Sequence, residues 1–156
     1  MESKRRTILK AGGGAGVLAL TAAAGLVHSG KAFAQQWNKA AFDTKSVAAT
    51  LKALGASGST ESAKIQITAP DIAENGAVVP ITIESGIPGT RAIAILIEKN
   101  PSTLSADFEI PEGTDPFITT RVKMAETSNI YAVVMADGKY SHAAKEIKVT
   151  LGGCGG

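Results

Sequence analysis

The single thiol of this 156-residue chain, Cys154, stands between Gly152-Gly153 and Gly155-Gly156 at the end of the sequence. A thiol can act as a nucleophile, a redox centre or a point of covalent attachment, and each use requires access. Glycine has no side chain to bury and loses more backbone freedom on ordering than any other residue, so the spacing predicts a mobile, solvated tail that displays the sulfur. With Gly152 and Gly153 extended, the thiol would stand roughly 10 Å beyond Leu151, far enough to enter another protein's cleft. Against this, glycine-rich ends fray, a lone Cys is often a small buried hydrophobe, and an odd Cys in an exported chain can pair with a second molecule. Four flanking glycines supply no apolar neighbours, which favours a chemically used thiol. At its ordinary pKa a free Cys is only about 3% thiolate at neutral pH, so activation is expected from a partner's site.

Within the chain, His142 is the one residue that could serve as the base of a Cys-His pair. It follows the Asp137-Gly138 turn signal among Ser141, Ala143 and Ala144, and is expected to be a surface or turn histidine. One Cys and one such His make a poor metal site, since structural zinc takes four protein ligands; no metal and no cofactor are expected. Asp71 with Glu74, and Asp107 with Glu109, resemble paired acids, but charged groups in loops or on an outer strand face are normally solvated, and spacing alone sets no catalytic geometry. Gly12-Gly13-Gly14 lacks the Lys-Ser/Thr end of a phosphate loop. Asn75-Gly76 and Asp137-Gly138 are turn signals.

The amino-terminal stretch has a different character. Arg5 and Arg6 lie in Lys4-Arg5-Arg6-Thr7-Ile8-Leu9-Lys10, ahead of an uncharged run rich in Ala and Gly and the small-x-small site Ala32-Phe33-Ala34. This pattern predicts a twin-arginine signal peptide over residues 1–34, cut after Ala34, with export to the periplasm. The run is too short and too rich in glycine for a spanning helix, so no membrane contact is expected after cleavage. Residues 1–34 hold five of the 16 basic residues and one of the 14 acids, leaving eleven against thirteen and a net charge of minus 2. The basicity of the whole chain therefore belongs to the signal, and nucleic-acid binding loses its support.

What remains fits one core, and one Cys cannot form an internal disulfide, so packing must supply the stability. Val47, Leu51 and Leu54 share a helical face, predicting one helix over residues 45–54, capped by Asp43 or Thr44 and ended by Gly55. From Lys64 the period becomes two. Ile65 and Ile67; Val79, Ile81 and Ile83; Ile93, Ile95 and Ile97; Ala106, Phe108 and Ile110; Ile118, Thr120, Val122 and Met124; the apolar run 130–136; and Ile147, Val149 and Leu151 predict seven strands, separated by Gly and Pro turns. The expected fold is all-β, an immunoglobulin-like antiparallel β-sandwich of about seven strands with one amino-terminal helix; an open barrel is the alternative. Pro80 cannot donate to a ladder, which predicts an edge strand or a bulge there. The organisation expected is a signal over 1–34, a linker and helix over 35–62, a sandwich over 63–151 and a flexible arm over 152–156. Residues 91–97 and 130–136 are apolar on both faces, so each is either central in the sandwich or covered by a second subunit, with the amino-terminal helix another possible contact.

Gly152-Gly153-Cys154-Gly155-Gly156 is accompanied by Pro70-Asp71-Ile72-Ala73-Glu74-Asn75-Gly76-Ala77-Val78-Val79-Pro80, Glu98-Lys99-Asn100-Pro101, Thr120-Arg121-Val122-Lys123-Met124 and Ala136-Asp137-Gly138-Lys139. In these segments, and in its twin-arginine signal, the chain resembles the SoxY family, the sulfur carriers of the bacterial thiosulfate-oxidising system. Lys4 stands where Ser or Thr is more usual, which bears on export and not on carrier chemistry. The resemblance implies a substrate carrier and not an enzyme, paired with SoxZ as a heterodimer and bearing sulfur intermediates on Cys154. It further implies transient contacts with SoxAX, which joins thiosulfate to the cysteine, SoxB, which hydrolyses off sulfate, and SoxCD, which oxidises the remaining sulfane sulfur. Two other readings stay open: a ubiquitin-like carrier bearing thiocarboxylate on Gly156, and an exported module whose Cys154 only forms an intermolecular disulfide.

Overall fold

The computed structural model describes residues 38–150. Two short helices come first. In α1 (Lys39–Phe42) the Asn38 Oδ1 accepts from the Ala41 N–H at 3.2 Å, and in α2 (Val47–Ala53) the Ser46 Oγ accepts from the Ala49 N–H at 3.3 Å. This corrects the single helix expected over 45–54. Asp43 closes α1 and pairs with Lys39, and the Thr44 hydroxyl donates to the Ala41 carbonyl at 2.6 Å, so Ser46, held extended, is the residue left to cap α2. Gly55 makes the expected left-handed exit at φ 75°.

Nine strands follow: β1 (Thr60–Glu61), β2 (Ile65–Thr68), β3 (Ile72–Ala73), β4 (Val79–Ser85), β5 (Thr90–Ile97), β6 (Leu104–Glu109), β7 (Phe117–Val122), β8 (Ser128–Ala136) and β9 (Lys139–Val149). They form two sheets. The larger runs β1-β9-β8-β5-β6, with β3 also on β9; the smaller runs β2-β4-β7. Each of the seven expected stretches falls on a strand, although Ile110 and Met124 lie just past the ends of β6 and β7 and Leu151 lies outside the described residues, and the all-β sandwich is the fold. The two additions, β1 and β3, are too short to show a period, and both run parallel to β9 in an otherwise antiparallel arrangement.

Alternation explains the layering, because successive side chains of a strand point to opposite faces. Ile93, Ile95 and Ile97 of β5 and Ile130, Ala132 and Val134 of β8 face the smaller sheet, where they meet Val79, Ile81 and Ile83 of β4 in the main core. The opposite faces of the same strands present Ala94, Leu96 and Val133, and these pack with Ala41, Phe42, Val47, Leu51 and Leu54 of the helical segment. The double apolarity of β5 and β8 thus has an internal cause. The chain's own helices cover the second face, so no second subunit is needed there.

Pro80 does not mark an edge strand or a bulge. β4 is the middle strand of the smaller sheet, but β2 ends at Thr68 opposite Thr82, so at Pro80 only β7 lies alongside, with Arg121 as its partner. The missing donor falls where the ladder on that side has already stopped. At the β8–β9 hairpin, Asp137 (φ 49°) and Gly138 (φ 73°) both take left-handed values, and Ala136 pairs with Lys139. That is the two-residue turn whose twist matches the strands it joins.

Candidate functional site

Cys154, with Gly152, Gly153, Gly155 and Gly156, lies outside the described residues, as do Arg5, Arg6 and the cleavage site after Ala34. The site can be built up to Thr150, the last described residue before the cysteine. β9 leads there. Its inner residue Ile147 is fully buried, between the exposed Glu146 and Lys148, and sits opposite Ser128 at the start of β8.

Beyond that pair the β8 ladder stops, and other groups take over. The Thr127 hydroxyl accepts from the Val149 N–H at 2.9 Å and reaches the Val149 carbonyl at 3.5 Å. On the opposite edge the Lys148 N–H donates to the Asp71 carbonyl at 3.0 Å, and the Thr150 N–H to the Ala73 carbonyl at 3.1 Å. Three successive amides therefore have fixed partners, which is what a backbone end needs in order not to fray. Gly76 closes the corner. A Cβ there would lie 2.5 Å from the Met124 carbonyl oxygen and 2.8 Å from a Val149 methyl, so only glycine allows the loop after β3 to lie against the strand. Lys145 adds a tie by donating to the Ala69 carbonyl at 2.8 Å, with its ammonium 3.0 Å from the Asp71 carboxylate.

His142, expected at the surface or in a turn, is a strand residue. It lies within β9, half-buried, because the hairpin turn is confined to two residues and pairing resumes at Lys139. Its Nδ1 is 3.0 Å from the Ser59 hydroxyl, and its ring centroid is 6.4 Å from that of Tyr131. Seven residues of strand, about 23 Å, separate it from Val149. Cys154 would meet it only with the intervening links doubled back and drawn out to full length.

Of the paired acids, Asp71 is exposed and tied to Lys145, and Glu74 is exposed. Asp107 is less solvated than its outer strand position suggested. It lines a small cavity of about 150 Å³ beneath the helical segment, with Tyr140, Met135 and Leu54, and burial, with the charge of Glu109 second, pushes its pKa up. Burial, with the charge of Glu98 second, also raises the Tyr131 phenol. Among the described residues no group of three or more His, Cys, Asp or Glu could hold a metal ion, and no helix is long and apolar enough to cross a membrane.

Sequence reasoning passed over Thr127 and β3. Gly76 was legible as a turn glycine, but its close approach to Val149 was not.

The chain matches the family model described as "SoxY: Sulfur oxidation protein SoxY" over residues 50–154. It is similar to the solved structure of the sulfur carrier protein SoxY from Chlorobium limicola f thiosulfatophilum, at 44% identity and a TM-score of 0.55, over 59% of this chain and 84% of that one. Two further likenesses are too slight to carry an argument. One is to a chain in a structure concerning T cell activation by the bacterial superantigen toxic shock syndrome toxin-1, at 12% identity and a TM-score of 0.39 over 55% of this chain and 99% of that one. The other is to the human F-spondin reeler domain, at 12% identity and a TM-score of 0.37 over 58% and 92%. No curated protein matches.

Proposed function

The chain belongs to the SoxY family, and from that premise we propose that it is a covalent carrier of sulfur intermediates in thiosulfate oxidation, with cargo joined to the Cys154 thiol and Gly152, Gly153, Gly155 and Gly156 as its arm. Membership of the family carries a part in sulfur oxidation. The observation that carries the finer reading is the extent of the match, which runs through Cys154 itself. The fastened end of β9 supports it, because a short arm delivers cargo predictably only from a fixed base.

Loading joins the Cys154 sulfur to the outer sulfur of thiosulfate. The thiol loses its proton, and two electrons pass to an oxidant, the haem protein SoxAX in the family scheme. Water then cleaves the terminal sulfonate as sulfate, with SoxB as the hydrolase, and leaves a persulfide on the cysteine for SoxCD to oxidise. Glycine on both sides of Cys154 leaves the sulfur chain unobstructed by neighbouring side chains in each partner's pocket. The partner enzymes carry the chemistry, and this chain carries the substrate. The same reading includes export through Arg5 and Arg6 of the twin-arginine signal, cleavage after Ala34, residence in the periplasm and a heterodimer with SoxZ.

Incubation of the full chain with SoxZ, SoxAX and thiosulfate, followed by peptide mass spectrometry, tests this. The expected result is a thiosulfate adduct on the Cys154 peptide, and loss of sulfur oxidation in Cys154→Ser with folding unchanged. Sulfur on Gly156, no adduct on Cys154, or full oxidation by Cys154→Ser would overturn the carrier reading.

A further inference from the structure

A cavity lies at the open side of the sandwich, between the last strands of the two sheets. β6 supplies Leu104 and Ser105, β7 supplies Thr120, Arg121 and Val122, and Lys123 follows directly; the space is about 420 Å³. Its walls are braced. The Asn100 side chain donates to the Lys123 carbonyl at 2.7 Å and accepts from the Ala125 N–H at 3.0 Å, fixing the loop after β5 to the segment after β7.

The charge of this space is one-sided. Arg121 and Lys123 both line it, and no lining residue is an acid. Among the described residues the cations that form ion pairs are Lys39, Arg91 and Lys145, so neither lining cation has an acidic partner. Ser105 and Thr120, which carry hydroxyls, line the same space, and the lining residues Leu104 and Val122 are buried and apolar. Two cations of one sign beside a low-dielectric wall raise the local concentration of anions, and a guanidinium fork matches two oxygens of a tetrahedral oxyanion. This occurs on a domain whose acids outnumber its bases once residues 1–34 are set aside.

We propose that the cavity between β6 and β7 is a binding site for a tetrahedral sulfur oxyanion, held by Arg121 and Lys123. Sulfur is chosen among tetrahedral oxyanions on the strength of the carrier reading; the site itself rests only on the cavity and its charges. The oxyanion can come from free solution or be the terminal sulfonate of cargo on Cys154. The second source starts close by, because Gly76 stands against both the Met124 carbonyl and a Val149 methyl, which sets the end of β9 beside the segment that carries Lys123. Thr127, bonded to Val149 at the base of the arm, is four residues from Lys123, and Cys154 is four residues from Thr150. Each of these stretches spans at most about 14 Å.

The experiment is an amide chemical-shift titration of the full chain carrying Cys154→Ser, so that its outcome does not depend on loading. Sulfate, thiosulfate and phosphate are added in turn, with chloride at matched ionic strength as the control. Saturable shifts confined to Ser105 and residues 120–123 are expected, stronger for the dianions than for chloride. The double variant Arg121→Gln, Lys123→Gln should weaken binding by roughly fivefold or more while retaining a dispersed spectrum. Shifts that scatter over the surface, track ionic strength alone or survive in the double variant would overturn the site, as would phosphate binding with sulfate and thiosulfate inert. The source is separated with the unsubstituted chain loaded by tetrathionate, which places a thiosulfate group on Cys154 and releases thiosulfate. Shifts at the same residues after removal of free anion identify the arm's own sulfonate as occupant; their absence assigns the site to the free ion.

Discussion

The two ends of β9 are held in different ways. At its beginning, Thr60 and Glu61 run alongside Ser141 and His142, the Ser62 N–H donates to the His142 carbonyl at 2.9 Å, and β8 still pairs fully on the other edge. At its far end β8 has run out, and the strand depends on β3, the Thr127 hydroxyl and the close approach of Gly76. The beginning is a sheet interior with one short added strand. The end is a socket assembled from two segments, the stretch that holds β3 and Gly76 and the connection between β7 and β8 that holds Thr127. A frayed strand end lacks such ties; here they fix the backbone as far as Thr150.

The most disruptive way to break this comparison is Ile147→Ala, which removes a fully buried side chain just before the socket. A loss of about 3 kcal/mol is expected, read as a lowered urea midpoint, with both ends of β9 opening together. Opening of the far end alone would show that the strand is not one cooperative unit. Gly76→Ala acts on the socket itself, forcing a Cβ against the Met124 carbonyl and Val149. It should cost about 2 kcal/mol and speed amide exchange at Lys148 and Thr150 while Ser141 keeps its protection. Thr127→Val keeps the shape and removes the hydroxyl, so a loss of about 1 kcal/mol is expected, with faster exchange at Val149. Ser59→Ala, the matching change at the beginning, should leave Val149 exchange untouched.

The smallest effect lies away from both ends and calibrates the others. Burial and the nearby Glu109 raise the Asp107 pKa, so the folded protein holds this proton more tightly than the unfolded chain. The stability contributed by the protonated carboxyl is complete below the ordinary value of 3.8, and is lost as pH rises through the folded value. At neutral pH the ionised group is a net cost. Asp107→Asn should therefore raise the melting temperature slightly at pH 7, and by less below about pH 4, as thermal scans at the two pH values would read.

Much of this architecture could be read in advance, for a local reason. Seven strands announced themselves because alternation of apolar and polar residues is written within four to nine neighbours, and the Asp137-Gly138 hairpin because its conformation is intrinsic to those two residues. The helical segment was blurred. One face of Val47, Leu51 and Leu54 was visible, but choosing Ser46 over Asp43 or Thr44 as the cap depended on which backbone stretch was extended. For His142 the sequence left surface and turn open, and only the pairing that resumes at Lys139 put it within β9.

By itself the sequence determined the identity of the main strands and singled out Cys154 among its glycines as the residue to test, since these depend on residue type and short-range order. Only the tertiary structure decided that the helices cover the second face of β5 and β8, that Pro80 falls where its ladder has ended, and that β1 and β3 fasten β9. A two-residue strand carries no period, and its partner lies far away along the chain. Such pairings exist only once the sandwich has brought the two edges together.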